Sequence, residues 1–192
     1  MSAARSAAPV SRRALLQTSG AGLAAGFAAL AAGCGAHSAT RIRTISPAAR
    51  SADVEILNQV LDLEHRAIAA YTAGIPLLTG YAQKSAQQFL AQELQHANEL
   101  FGLIRRQDGQ PDKPQPTYDL GRPRSREDIL QLLHDLERAQ IRGYLAAIPE
   151  VSPGTVKSAL GAILGSDAQH VALLRAALGA VPLAGAFVTG NE

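Results

Sequence analysis

Four carboxylates and two histidines stand in this chain at spacings that suit metal ligation. Glu93-x-x-His96 and Asp167-x-x-His170 each set a carboxylate and an imidazole three residues apart, on one face of a helix. Upstream of each pair is a lone glutamate in apolar surroundings: Glu64 among Leu61, Leu63 and Ile68, and Glu137 among Leu133, Leu136 and Ile141. The two halves repeat. Leu63-Glu64, Tyr71 and Ile75-Pro76 return 73 residues later as Leu136-Glu137, Tyr144 and Ile148-Pro149, and the carboxylate-x-x-His pairs are offset by 74. A carboxylate buried without a partner is costly, so each lone glutamate asks for a compensating charge. Two lone carboxylates and two carboxylate-x-x-His pairs are the ligand inventory of a two-metal site inside a four-helix bundle. Four oxygen donors with two imidazoles suit iron or manganese.

Other polar residues near these positions have a bland reading beside a functional one. Tyr71 and Tyr144 follow Glu64 and Glu137 by seven residues and share their helix faces. They read as core packing with a satisfied hydroxyl, or as partners of ligands and relays for electrons. His134, three residues before Glu137, is either an extra ligand, a donor behind a ligand, or a surface histidine. His65 points about 100° away from Glu64 and belongs to the surface. No Gly-rich phosphate loop or Ser/His/Asp constellation stands out, so no catalytic residue is expected beyond the metal ligands.

The elements that must position these residues are four helices. Apolar periodicity predicts a first helix from Ala52 to about Thr79, with a kink or early end at Pro76. The second runs from Tyr81 to Asp108 and stops at Asp108-Gly109. Residues 110–124 contain Pro111, Pro114, Pro116, Gly121 and Pro123, and form a connection. Ser125-x-x-Asp128 resembles a capping box and opens the third helix, which ends at Pro149. Ser152 as N-cap and Pro153 at N1 start the fourth, which closes near Leu178 with Gly179 as its cap. On these bounds Glu64, Glu93 and Glu137 each lie 12 residues into a helix and Asp167 about 14. At ~1.5 Å per residue all four carboxylates reach one level, ~18–21 Å from the helix starts. Gly74, Gly102, Gly143, Gly161 and Gly165 lie inside helices, where they cost stability and are expected to permit close helix contact. A connection of this length between helix pairs asks for a reason, and a crossover along the bundle supplies it.

Composition excludes several classes. The 192 residues are 47% hydrophobic, only 4% aromatic and lack Trp, so the core is aliphatic. The formal charge is +2, but removing Arg5, Arg12 and Arg13 leaves 15 basic against 16 acidic residues. No basic patch asks for nucleic acid. Residues 1–34 read as a leader: Ser11-Arg12-Arg13-Ala14-Leu15-Leu16 precedes an apolar run of about 13 residues, shorter than the ~20 that span a bilayer. Arg12-Arg13 followed by Leu-Leu resembles a twin-arginine (Tat) export signal; an ordinary secretory signal is the alternative. The single cysteine, Cys34, ends Leu30-Ala31-Ala32-Gly33-Cys34. This resembles a lipobox, in which that cysteine is lipidated; Ala31 departs from the usual Leu. The alternative is a soluble exported form. Residues 35–51 follow as a flexible tether, and residues 180–192 as an apolar tail packing on the bundle.

On these motifs the chain resembles the ferritin-like superfamily, and in particular small exported bacterial ferritin-like proteins with Tat leaders, over about Asp53 to Leu178. The resemblance implies an all-α, ferritin-like four-helix bundle at residues 52–179, two antiparallel helix pairs joined by a long crossover. It implies two Fe ions, with Mn as the other candidate. Glu64 and Glu137 would be terminal ligands, Glu93 and Asp167 bridges, and His96 and His170 the imidazoles. Asp167 departs from the family's glutamate by one methylene. The expected function is an exported di-iron carboxylate protein, anchored to the membrane through an N-terminal lipid and facing the extracytoplasmic side, acting as a ferroxidase or oxidase with dioxygen or peroxide. The alternatives are a non-catalytic ferritin-like metal-binding or desiccation-related structural protein of the cell envelope, and a substrate oxygenase. The oligomeric state is open, with a dimer compatible.

Overall fold

A computed structural model describes residues 45–192. The expected Tat motif at Arg12 and Arg13, the expected lipidation position Cys34 and most of the expected tether lie outside the described residues. Within them the chain forms four helices and no strand: α1 (Pro47–Gly74), α2 (Gly80–Arg106), α3 (Arg126–Glu150) and α4 (Gly154–Ala177). A short 3₁₀ turn, Ile75–Leu77, follows α1. None of these helices is long and apolar enough to cross a membrane.

Local chemistry sets the boundaries. α1 begins five residues before the expected Ala52, because Ser46 caps it, its Oγ accepting from Ala49 N at 3.2 Å, and Pro47 supplies a pre-set φ at the first turn. Pro76 ends α1 early, as its missing N–H requires. The capping box of α3 is complete: Ser125 Oγ accepts from Asp128 N at 3.1 Å, and Ser125 N donates to Asp128 Oδ2 at 3.0 Å. α3 runs one residue past Pro149, where a single ladder bond is lost. The expected cap at Ser152 is not made. Pro153 is the N-cap and has no side-chain acceptor for the first N–H groups of α4, while Ser152 N donates to Asp53 Oδ1 at 2.9 Å. That bond fixes the α3–α4 turn to the start of α1. At the end of α2, Asp108 takes the left-handed conformation (φ 61°), and Gly109 is needed for contact, since a Cβ there would lie 2.6 Å from Val54.

The long connection runs along α1 in the same direction as the helix. Asn58 bonds Gln110 O and Asp112 N, Asp62 accepts from Tyr118 Oη, and Arg66 donates to Asp119 O. The crossover therefore returns the chain to the far end of the bundle before α3 starts. α3 lies antiparallel to α1, with Ser152 beside Asp53 and Ile129 against Gly74. α4 returns along α3, so that Arg126 meets Ala177 O. This is the two-pair bundle with one long crossover. Among the glycines inside helices, close packing against another helix is confined to the α1–α3 interface. A Cβ on Gly143 would lie 2.4 Å from Leu63 Cδ1, and one on Gly74 2.9 Å from Ile129 Cγ2. Gly161 and Gly165 do not permit close helix contact as expected: they are exposed and a Cβ would meet no atom of the described residues within 4 Å. Gly102 faces only Arg106 of its own helix.

Two aliphatic clusters fill the bundle. One joins Leu57, Leu61, Leu100, Ile104, Tyr144 and Leu160; the other joins Tyr71, Phe89, Ile129, Leu130, Leu133 and Leu174. Between them, in sequence and along each helix, lie Glu64, Glu93, Glu137 and Asp167. Each fully buried aliphatic side chain contributes about 1.5–3 kcal/mol, which is what lets the bundle carry a charged middle layer. The tail meets the bundle through its backbone. Gly190 O accepts from Arg138 Nε at 3.2 Å and from Arg142, while Val181, Leu183 and Phe187 stay exposed.

Candidate metal centre

The six residues singled out by spacing converge on one buried layer. Glu64 comes from α1, Glu93 and His96 from α2, Glu137 from α3, and Asp167 and His170 from α4. The four carboxylates are fully buried, His170 is 1% exposed, and the His96 side chain, at 11%, is the most open. Two sets of donor atoms form. Glu93, Glu137, Asp167 and His170 each bring one atom within 4.8 Å of the others, and so do Glu64, His96 and Asp167. Asp167 is common to both. His96 Nδ1 lies 3.4 Å from Asp167 Oδ1, 3.6 Å from Glu93 Oε1 and 3.7 Å from Glu64 Oε2. His170 Nδ1 lies 3.1 Å from Glu137 Oε1 and 3.2 Å from Glu93 Oε1.

The tyrosines act across the bundle. Tyr71 Oη donates to Glu137 Oε1 at 2.5 Å, and Tyr144 Oη donates to Glu64 Oε1. Each hydroxyl serves the glutamate of the other half, because a residue seven positions along a helix is ~10.5 Å from its own glutamate, while the antiparallel α1–α3 pair brings the opposite one within reach. Their hydroxyls are held well above the ordinary tyrosine range by burial and then by the facing carboxylate. Two amides complete the layer. Gln140 Nε2 donates to Glu93 Oε2 at 2.6 Å, and Gln92 Oε1 lies 2.7 Å from His170 Nε2. Neither amide was singled out by the motifs. Gln140 was findable, since it follows Glu137 by three and so shares its face. Phe89 stacks on the His170 ring at 4.1 Å and fixes its plane.

His134 is not a surface histidine, nor does it join either donor set: it is 5% exposed, and neither ring nitrogen has a partner among the described residues. Burial and then Arg138 hold its pKa below the usual value. His65 is half-buried and also stands apart from both sets.

Electrostatically the layer is a store of protons. Burial, and then Glu93, push the Glu64 carboxyl up to about 8 and Glu137 to about 7. Burial, with Glu137, Glu64 and Glu93 after it, raises Asp167 well above the usual range. Burial opposes ionisation of Glu93 as well, but the His170 and His96 imidazoles that face it, and then Glu64, hold it well below the ordinary carboxylate value. Burial alone would lower both imidazoles, yet His96, through Glu64 and Glu93, and His170, through Glu137 and Glu93, rise to about 9. Like charges gathered at this depth take up protons unless a cation replaces them.

The donor chemistry fits such a cation. Glu64 Oε2, Glu93 Oε1, both oxygens of Asp167 and His96 Nδ1 are buried without a hydrogen-bond partner among the described residues. Each unpaired buried polar atom costs about 1–3 kcal/mol, so five of them in one layer are hard to retain as packing alone. Four carboxylates and two imidazoles converging on one buried layer, five of their atoms unpartnered, are the donor set of a hard-to-borderline metal cage.

A crossover-linked four-helix bundle with a carboxylate and histidine layer at its middle defines the ferritin-like class. Residues 52–180 match the Ferritin-like domain family, and the chain belongs to it. Among solved structures it resembles a conserved hypothetical protein from Mycobacterium tuberculosis, with a TM-score of 0.65 and 20% identity, covering 74% of this chain and 99% of that one. It also resembles a structure from Bacillus anthracis described as ferritin-like diiron-carboxylate proteins, with a TM-score of 0.61 and 18% identity, over 68% of this chain and 97% of that one. At these identities the likeness is one of fold. No protein of curated function matches the chain.

Proposed function

We propose that this chain is an exported, membrane-tethered di-iron protein that oxidises Fe(II) with dioxygen or peroxide. In it Glu64, Glu93, His96, Glu137, Asp167 and His170 hold two metal ions. The observation that carries this reading is the set of facing donor atoms, several without a hydrogen-bond partner, in a buried layer between two aliphatic clusters. Iron, when bound, supplies one-electron redox chemistry with dioxygen; manganese is the other metal the donor set suits. The protein's part is positioning and exclusion. Tyr71 and Tyr144 hold Glu137 and Glu64 by one oxygen each, leaving the other toward the centre. Gln92 and Phe89 set the His170 ring. The aliphatic clusters keep water from both ends, and His96, the most open of the six side chains, marks the side nearest solvent. The protons held on Glu64, Glu137, Asp167 and the imidazoles leave when a cation takes their place. Export and tethering rest on Arg12-Arg13 and on Cys34 in the sequence.

The test is metal analysis of protein purified from its own compartment, followed by dioxygen uptake on addition of Fe(II). Two ions per chain with Fe(II)-dependent uptake support a ferroxidase. Two ions without uptake favour the non-catalytic metal-binding module, and no bound metal refutes both of these and leaves the structural protein of the envelope.

A further inference from the structure

Gln140 is a buried amide, 1% exposed, in a layer whose other members are charged groups, tyrosines and the half-buried Gln92. Its nitrogen donates to Glu93 Oε2 at 2.6 Å, while its own oxygen has no partner among the described residues. Leaving that oxygen unpaired is costly, and an apolar side chain would avoid the cost. The other half of the sequence repeat does avoid it: the position 73 residues before Gln140 is Ala67, fully buried. The repeat exchanges α1 with α3 and α2 with α4, so Ala67 is the counterpart that would serve Asp167. Glu64 is thus held on one oxygen by Tyr144 and Glu93 on one oxygen by Gln140, while Glu137 accepts from Tyr71 on Oε1 and meets His170 Nδ1 with both oxygens. Asp167 is held on neither.

The free oxygens differ accordingly. Glu93 has one left, Oε1, and that atom faces both imidazoles, 3.6 Å from His96 Nδ1 and 3.2 Å from His170 Nδ1. Asp167 has two, and it is the residue shared by both donor sets.

We propose that Gln140 is a positioning residue that limits Glu93 to a one-oxygen bridge through Oε1, while Asp167 bridges through two oxygens, so that the two bridging carboxylates are not interchangeable. This rests on the two-metal reading above. It departs from the even division of roles that the sequence repeat suggests. Its chemical consequence is a short separation between the ions, because a single shared oxygen holds two cations closer than a carboxylate spanning them.

The test uses cobalt(II), which needs no turnover. Wild type, Gln140→Met and Gln140→Leu are loaded anaerobically, ions per chain are counted, and the cobalt–cobalt separation is measured by X-ray absorption. Wild type is expected to bind two ions at the short end of the ~3.5–4 Å typical of two-metal sites. The variants are expected to keep two ions and lengthen the separation by more than the ~0.2 Å by which such distances ordinarily vary. Methionine keeps the length of the side chain and leucine its bulk, so folding of either suffices. Variants that bind two ions at the wild-type separation would overturn the role of Gln140 alone. A wild-type separation at the long end would do the same without any variant. A wild type that binds no cobalt would sink this inference together with the two-metal reading.

Discussion

Replacing Asp167 with alanine is expected to stabilise the metal-free protein and to remove most of the stabilisation that metal confers. The Asp167 side chain is wholly buried, neither oxygen is hydrogen-bonded among the described residues though Oδ1 faces His96 Nδ1 at 3.4 Å, and burial with three neighbouring carboxylates raises its pKa strongly. Relieving one unpaired buried polar group recovers about 1–3 kcal/mol. A domain of roughly 150 residues responds by about 2–4 °C per kcal/mol, so the metal-free melting temperature should rise by about 2–12 °C. Metal acts in the opposite sense. One site filled at a hundred times its dissociation constant adds about 2.7 kcal/mol, or about 5–11 °C on the same scale. Because Asp167 belongs to both donor sets, its loss should cut that increment by more than half. The assay is calorimetric melting of wild type and Asp167→Ala at pH 7, first with chelator and then with saturating cobalt(II). A variant that melts lower without metal and keeps the full metal increment would show that Asp167 is packing and not a ligand.

The metal-free protein should also lose stability as pH rises. Glu64 and Glu137 stand at about 8 and 7 against an ordinary 4.5, and His96 and His170 at about 9 against 6.5, so the folded state binds more protons than the unfolded one throughout this range. Their stabilisation is complete below about pH 4.5 and is lost by about pH 9; melting of the chelated protein should fall steadily between pH 5 and 9, and a flat profile would count against the proton store. Tyr144→Phe should cost about 1–2 kcal/mol by removing the bond to Glu64, and Tyr71→Phe a similar amount at Glu137; chemical denaturation measures both, and neither should change the number of ions bound. Exchanging Arg12 and Arg13 for lysine should retain the protein in the cytoplasm, and Cys34→Ala should move the mature protein to the soluble fraction; fractionation of cells reads both.

The centre was legible because ligation needs residue types at fixed helical offsets, and those survive in the sequence as Glu93-x-x-His96 and Asp167-x-x-His170. Their common depth followed from helix rise, and the crossover from a connection too rich in proline to be helical. What the sequence left open were relations across helices. The tyrosines were placed on the right faces, but their partners, Glu137 for Tyr71 and Glu64 for Tyr144, depend on the antiparallel register of α1 and α3. Gly161 and Gly165 looked like contact points on α4 and face no other helix, whereas Gly74 and Gly143 do, a difference set by the rotation of each helix about its axis. Ser152 seemed a cap, but its backbone N–H is committed to Asp53, 99 residues away. Gln140 carries no motif of its own; its significance is its bond to Glu93, which only the packed bundle reveals.

The most direct measurement is an anaerobic Fe(II) titration that counts ions per chain in wild type, His96→Ala, His170→Ala and His65→Ala. Two ions in wild type and in His65→Ala, with loss of occupancy in each of the other two variants, is the expected result. Equal loss in all three variants, or a wild type that binds no iron, would contradict the two-metal centre.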